Sequence, residues 1–293
     1  MTNSRILSQE FEYFEPKTID EAVLLLATYG EKAKIIAGGT DLLVQMKMDR
    51  IHPACLINIA GIPTLRFLSE GKGLRIGTLT PFREMEKSES IRKKYTALHE
   101  AAQSVSSAQI KNMGTVGGNL CHASPAADSA PPLLVLEATL KFVRRDGEKT
   151  VGLEDFFLDP GKTILSPRDL LVEVQVPEPP RNAGSAFLKM ARVSADLAKV
   201  NGAVYVEKEN GFCRECRIAL GAVAKTPMRA REAESILRGK ELQDDLIEKA
   251  CQKASEEIQP ITDIRSTHGY RRTVSRVLVR DAIGLAWERA GRH

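Results

Sequence analysis

The pattern of apolar and polar positions begins with a helix that leads into a buried strand. Residues 18–29 carry apolar side chains at helical spacing, between the cap-type residue Thr18 and the stop residue Gly30. A short run rich in β-branched side chains then ends at Ile36 and predicts a buried strand. The chain therefore opens with a helix, a strand and a glycine pair, Gly38-Gly39.

The remaining pattern alternates strands and helices and is interrupted by a proline-rich linker at residues 177–180. Before the linker we predict strands at 56–59, 74–79, 139–145 and 171–176, helices at 42–48, 90–104 and 133–138, and a polar connection at 106–112. Beyond it we predict strands at 186–191, 199–207 and 213–224, followed by helices at 228–238, 242–258 and 271–289. Strands followed by helices indicate an α+β layer, with helices covering one face of a three-stranded antiparallel sheet.

Two glycine pairs carry the candidate chemistry. Gly38-Gly39 is followed by Thr40 and Asp41, and a second stretch reads Thr115-Val116-Gly117-Gly118-Asn119. Backbone N–H groups that no side chain shields can form a concave nest of donors around a pyrophosphate. Neither stretch fits the G-x-G-x-x-G or P-loop patterns. Ordinary tight turns remain the alternative for each pair.

Composition narrows the function classes. The formal net charge is +4, from 42 basic and 38 acidic residues, and aromatic residues make up 5% of the chain. This even balance argues against a nucleic-acid surface, which combines basic clusters with stacking aromatics. Residues 1–14 are polar, and no apolar run reaches the length of a signal peptide or membrane span, so we expect a cytoplasmic protein.

The five cysteines indicate reduced thiols, because their number is odd and they are widely scattered. Cys213 and Cys216 form the one C-x-x-C, without a partner pair at metal-binding spacing. They follow a turn-like Glu-Asn-Gly sequence, so we expect a structural role in a hairpin. We predict no metal site and no iron–sulfur cluster in this chain.

The glycine motifs, together with Ser124-Pro125-Ala126-Ala127-Asp128, closely resemble the FAD-binding medium subunit of molybdenum hydroxylases. This is the xanthine dehydrogenase and aerobic carbon monoxide dehydrogenase family, and the resemblance covers essentially the whole chain. It implies an α+β fold. A two-part FAD-binding domain of the PCMH (vanillyl-alcohol oxidase-like) type would span 1–178, with subdomains of about 1–59 and 60–178. A smaller C-terminal domain of the carbon monoxide dehydrogenase flavoprotein type would span 181–293.

The resemblance also implies which residues contact FAD. The residues expected around the pyrophosphate and ribityl groups are Lys34, Ile35, Ile36, Ala37, Gly38, Gly39, Thr40, Asp41, Leu42, Thr115, Gly117, Gly118 and Asn119. Further expected contacts are Val105, Asp128, Leu171 and Lys189. Val105 departs from relatives with an aromatic residue there, and supplies only apolar contact.

Three neighbouring polar residues are left out of the predicted site or have a second interpretation. Asp128 also suits a capping carboxylate for the helix that follows it. We expect Lys111 to be solvated and outside the site, and His122 to be a loop histidine without a partner.

The function that the resemblance implies is electron transfer without a catalytic side chain. FAD in this subunit would pass electrons from iron–sulfur clusters to a final acceptor such as NAD. The expected partners are a small iron–sulfur subunit and a large molybdenum-pterin subunit, in a dimer of heterotrimers. Two alternatives remain. A free-standing FAD oxidoreductase would turn over its substrate alone, and a non-catalytic interaction protein would be colourless.

Overall fold

The computed structural model describes residue 7 and residues 9–291. Its first part is a parallel three-stranded sheet in the order β1-β3-β2. The elements are β1 (Glu12–Phe14), α1 (Ile19–Tyr29), β2 (Ala33–Ile36), α2 (Leu42–Lys47) and β3 (Cys55–Asn58). Thr18 caps α1 by accepting the N–H of Glu21, and Gly30 ends it with φ at +51°. The predicted elements α1, β2 and α2 are therefore confirmed, but strand β1, which precedes them, was not predicted.

The second part is built on an antiparallel sheet of five strands. Its strands and the hairpin inserted between them are β4 (Leu68–Gly71), β5 (Gly73–Gly77), β6 (Thr139–Arg144), β7 (Gly147–Gly152), β8 (Phe157–Asp159), β9 (Lys162–Thr163) and β10 (Leu170–Val176). The helices are α3 (Phe82–Lys87), α4 (Glu89–Lys94), α5 (Thr96–Ser104), α6 (Ala108–Met113), α7 (Val116–His122) and α8 (Ala130–Val135). The sheet order is β4-β5-β10-β6-β7, which places the largely buried strand β10 in the centre.

Three predictions in this part are wrong. The helix expected at 90–104 is interrupted at Tyr95, which leaves helical geometry and is buried in the core between α4 and α5. The expected polar connection at 106–112 contains α6, which Ser107 caps by accepting the N–H of Ile110. Lys111 is not solvated, because it is buried with its Nζ 2.8 Å from Oε1 of Glu86 on α3. Glu86 lies 25 residues before Lys111 in the chain, so a local sequence pattern could not predict this contact.

The third part is an antiparallel sheet covered by helices. Its elements are β11 (Ala183–Met190), β12 (Val200–Glu209), β13 (Phe212–Gly221), β14 (Met228–Arg229), α9 (Arg231–Leu237), α10 (Asp244–Glu257) and α11 (His268–Arg289). The sheet has four strands, in the order β11-β12-β13-β14, and the expected count of three is wrong. Met228 and Arg229 were expected to begin a helix but pair with β13. The buried carboxylate of Glu234 holds the Arg229 guanidinium at 2.7 Å and fixes this short strand.

The C-terminal sheet joins two hydrophobic cores. Phe187 and Tyr205 on one face pack into the core of the second part, while Val204 and Ile218 on the other face pack under α9, α10 and α11. Gly184 allows α11 to approach β11, since a Cβ there would lie 2.2 Å from a carbonyl oxygen of that helix. One face of the C-terminal sheet therefore packs directly against the second part.

An acidic residue organises the segment before α11. Asp263 accepts the N–H groups of Arg265 and Ser266, and the guanidinium of Arg271 lies 2.7 Å from its Oδ1. Although burial opposes the charged form, these donors lower the pKa of Asp263 to about 2. The carboxylate is thus a structural anchor of the C-terminal part.

The cysteine pair has the structural setting that the sequence predicts. Cys213 and Cys216 lie on β13, in the hairpin with β12, and both are fully buried in the C-terminal core. Across residues 9–291, no helix is long and apolar enough to cross a membrane.

Candidate functional site

The first glycine loop, residues 37–41, connects β2 to α2 and is pressed against a distant part of the chain. A Cβ on Gly38 would lie 1.9 Å from the carbonyl oxygen of Met113, so no larger residue fits without a backbone shift. Gly39 has φ at +69°, a conformation that glycine adopts readily. The loop therefore meets the chain just before the second glycine motif, which starts two residues after Met113.

A row of free donors lies in this loop. Among the described residues, no acceptor takes a hydrogen bond from the backbone N–H groups of Gly38, Gly39, Thr40 or Asp41. Backbone donors without protein acceptors need water or a ligand. We call these four residues the N–H cradle. Successive free N–H groups form an anion-binding concavity, which is the property that the sequence predicts for this stretch.

The second glycine motif has a different structure from the one expected. It begins helix α7, and its first N–H groups are already engaged: Val116 donates to the carbonyl of Thr80, and Gly117 donates to that of Thr78. Thr115 caps the helix by accepting the N–H of Gly118. The prediction of a second open donor turn is therefore wrong, because the neighbouring chain supplies the acceptors.

The two glycines of this motif have separate roles. A Cβ on Gly117 would lie 1.7 Å from Oγ1 of Thr78, so Gly117 is required for packing. Gly118 is exposed, and a Cβ there would meet only Oγ1 of Thr115, at 3.0 Å. Gly118 therefore presents bare backbone to open space, where a ligand can approach closely.

Two predicted site residues, Asp128 and Lys189, meet across the boundary between the second and third parts. The Nζ of Lys189 lies 2.7 Å from Oδ2 of Asp128, and both side chains are buried. Lys189 also donates to the carbonyl of Ser104, beside Val105. Burial raises the pKa of Asp128, although Lys189 lowers it in part. Asp128 makes no capping bond to α8, so the capping interpretation is wrong.

Two residues that sequence reasoning missed complete this network. Asn201 on β12 donates to Oδ1 of Asp128 at 2.7 Å, and the hydroxyl of Ser129 donates to Oδ1 of Asn119 at 2.7 Å. Asn201 is fully buried in strand β12. The sequence signal for it was a polar amide inside the apolar run 200–206, since a buried amide needs a hydrogen-bond partner. The contacts link the second glycine motif to Asp128 and on to Lys189.

The other predicted site residues supply apolar surface or lie further out. Val105 and Leu171 belong to the main hydrophobic core and are 9% and 2% exposed. Ile35, Ile36 and Leu42 are half-buried around the first loop, whereas Lys34 is exposed on β2. Their contacts with a cofactor remain predictions.

His122, expected to be a loop histidine without a partner, ends α7 beside the first loop. Its Nε2 lies 3.7 Å from Oδ1 of Asp41, and its Nδ1 lies 3.5 Å from the side-chain nitrogen of Gln45. The expectation is wrong because both partners come from a segment about 80 residues earlier in the chain.

A cleft of about 470 Å³ lies elsewhere, between α1 and the five-stranded sheet. Its charged side chains are largely neutralised within the protein, as in the pair Arg75–Glu173 at 2.6 Å and the pair Lys141–Glu148. None of the predicted site residues lines this cleft.

The residues around the two glycine motifs fit FAD by their chemistry. The N–H cradle suits an anionic pyrophosphate, and the bare backbone of Gly118 suits close approach by a flat or extended ligand. Both features belong to segments that touch each other through Gly38 and Met113. The described residues hold no cluster of His, Cys, Asp or Glu suited to a metal ion.

Comparison with known proteins identifies the family. Residues 9–179 match the FAD binding domain in molybdopterin dehydrogenase, and residues 185–286 match the CO dehydrogenase flavoprotein C-terminal domain. The carbon monoxide dehydrogenase medium chain of Hydrogenophaga pseudoflava is 33% identical over 97% of this chain and 99% of its own length. A putative xanthine dehydrogenase FAD-binding subunit of Escherichia coli is 31% identical over 94% of this chain and 96% of its own.

Solved structures agree. A carbon monoxide dehydrogenase structure from Hydrogenophaga pseudoflava has a TM-score of 0.94 at 34% identity, covering 97% of this chain and all of the matched one. The structure of quinoline 2-oxidoreductase from Pseudomonas putida 86 has a TM-score of 0.90 at 28% identity. The match covers 96% of this chain and 98% of the other. The chain belongs to the FAD-binding subunits of the molybdenum hydroxylases, an oxidoreductase family that includes carbon monoxide dehydrogenase and xanthine dehydrogenase.

Proposed function

We propose that this chain is the electron-transfer subunit of a molybdenum hydroxylase complex and that its FAD passes electrons from iron–sulfur clusters to a final acceptor. The N–H cradle carries the proposal, because four free backbone donors beside a glycine contact suit the pyrophosphate of FAD. The names "medium chain" and "FAD-binding subunit" of the relatives support a role inside a larger complex.

The chain's own residues bind and orient the cofactor in this proposal. The N–H cradle holds the phosphates, and the bare backbone at Gly118 allows close approach. The pair Asp128–Lys189 ties the C-terminal sheet to the FAD-binding part, so that residues from both parts stay at the site. A bound flavin supplies the redox chemistry, since it accepts electrons and passes them on singly or as a pair.

The proposed partners are a small iron–sulfur subunit and a large molybdenum-pterin subunit, assembled as a dimer of heterotrimers. The printed name "medium chain" of the carbon monoxide dehydrogenase relative supports an assembly with further subunits. NAD is the proposed acceptor. In this proposal the large subunit determines the substrate.

Copurification tests the assembly. A tagged chain purified from its native host should copurify with two further chains, the proposed small and large subunits. Metal analysis of the complex should find both iron and molybdenum. A chain that purifies alone with flavin and oxidises a substrate without partners would instead indicate the free-standing oxidoreductase.

An anaerobic titration tests the acceptor. If NAD accepts electrons from the flavin, added NADH should run the transfer in reverse and bleach the visible flavin absorption. An unchanged spectrum in the presence of excess NADH would exclude NAD and point to another acceptor.

A further inference from the structure

The carboxylate of Asp41 poses an electrostatic problem for the proposed site. Asp41 supplies one of the free N–H groups of the cradle, yet its side chain carries a negative charge and is about half exposed. A carboxylate beside a pyrophosphate repels it, because like charges a few ångströms apart disfavour each other. Something must offset or redirect this charge if the loop is to bind an anion.

His122 is placed to do this. Its Nε2 faces Oδ1 of Asp41 at 3.7 Å, from the last residue of α7. The side-chain nitrogen of Gln45 lies 3.5 Å from the other ring nitrogen, Nδ1. If the Gln45 amide donates to Nδ1, the ring proton is on Nε2 and points toward the Asp41 carboxylate.

We propose that His122 is a positioning residue for FAD binding. Through the proton on Nε2 it draws the Asp41 carboxylate toward α7 and so redirects its charge, and the N–H cradle can then accept the pyrophosphate. This inference rests on the proposed function, since it requires that the cradle binds FAD. It also explains why the two glycine motifs, about 80 residues apart in sequence, are coupled by polar side chains as well as by the Gly38 contact.

A double-mutant cycle on FAD affinity tests the proposal. We expect His122→Ala to weaken FAD binding about tenfold, equivalent to about 1.4 kcal/mol. Asp41→Asn alone should bind FAD at least as tightly as the wild type. The double variant should regain most of the lost affinity, because no carboxylate is left to repel the phosphates.

The dissociation constants would be measured by calorimetry on the full chain after removal of any bound flavin. His52→Ala is the matched control, because His52 also pairs with an aspartate, Asp49 at 2.7 Å, but is exposed and outside the cradle. It should leave FAD affinity unchanged. The thermal midpoint of each variant without FAD checks that folding is intact.

Several outcomes would overturn the proposal. These are an unchanged dissociation constant in His122→Ala, a double variant as weak as His122→Ala, or an equal loss in His52→Ala. A purely structural role for His122 predicts the second of these. Failure of the wild-type chain to bind FAD is a different result and would refute the proposed function itself.

Discussion

Adding one methyl group at Gly118 perturbs the proposed cofactor surface with little effect on the fold. Apart from the backbone of its own helix, a Cβ at this position meets only Oγ1 of Thr115, at 3.0 Å. That oxygen also accepts the N–H of Gly118, so it must shift by a few tenths of an ångström in an alanine variant. Alanine also favours a helix over glycine by up to about 1 kcal/mol, which offsets the tight contact.

The expected effect on FAD binding is much larger. If FAD lies against the bare backbone of Gly118, the new methyl group occupies space that the cofactor needs. Overpacking of this kind costs about 1–3 kcal/mol, which corresponds to roughly 5- to 150-fold weaker binding. We therefore expect Gly118→Ala to lose FAD affinity while its urea midpoint without cofactor stays at or above that of the wild type.

The assay is fluorescence or calorimetric titration of the cofactor-free chain with FAD. Gly284→Ala is the matched control, because Gly284 is an exposed glycine within α11 and a Cβ there meets no atom within 4 Å. It should gain about 0.8–1 kcal/mol of stability and keep full FAD affinity. FAD binding of Gly118→Ala at wild-type strength would refute a cofactor position beside this glycine.

Three further predictions concern stability. Gly38→Ala should lower the free energy of unfolding in urea by about 1–3 kcal/mol, because its Cβ collides with the Met113 carbonyl, and an unchanged value would contradict that contact. Lys189→Met should cost about 3–5 kcal/mol, since it leaves the buried Asp128 carboxylate without its cation, and adding Asp128→Asn should restore part of the loss. The lowered pKa of Asp263 contributes stability that is present above its ordinary value of 3.8 and is lost as pH falls toward about 2. Acid should therefore destabilise the wild type by about 2 kcal/mol more than Asp263→Asn, and equal acid sensitivity would refute this.

Local sequence patterns were sufficient to predict helix α1, strand β2 and the donor loop, but not strand β1 before them. Thr18 and Gly30 mark the helix ends by the chemistry of their own positions, and the free N–H groups follow from consecutive glycines without bulky neighbours. These features depend on residues next to one another in the chain, so a single sequence contains them.

Features that depend on distant partners were not predictable in this way. The second glycine motif is a helix start because Thr78 and Thr80 supply acceptors for its N–H groups. Lys111 is buried because α3 brings Glu86 to it, and His122 has partners because α2 lies beside α7. No local pattern records these tertiary contacts.

The family resemblance implied cofactor contacts for Asp128 and Lys189, which remain predictions, but it did not include the ion pair between them. Asp128 and Lys189 were both expected at the cofactor, and the structure brings them to 2.7 Å. The supporting residue Asn201 was missed, although a buried asparagine in an apolar strand signals a hydrogen-bonded partner.

The visible absorption spectrum of the purified chain is the most direct test of FAD binding. We expect a flavin spectrum, release of FAD on denaturation, and loss of the bound cofactor in a folded Gly118→Ala variant. A folded, colourless protein that takes up no added FAD would contradict the proposed function, because it would show that the N–H cradle does not bind this cofactor.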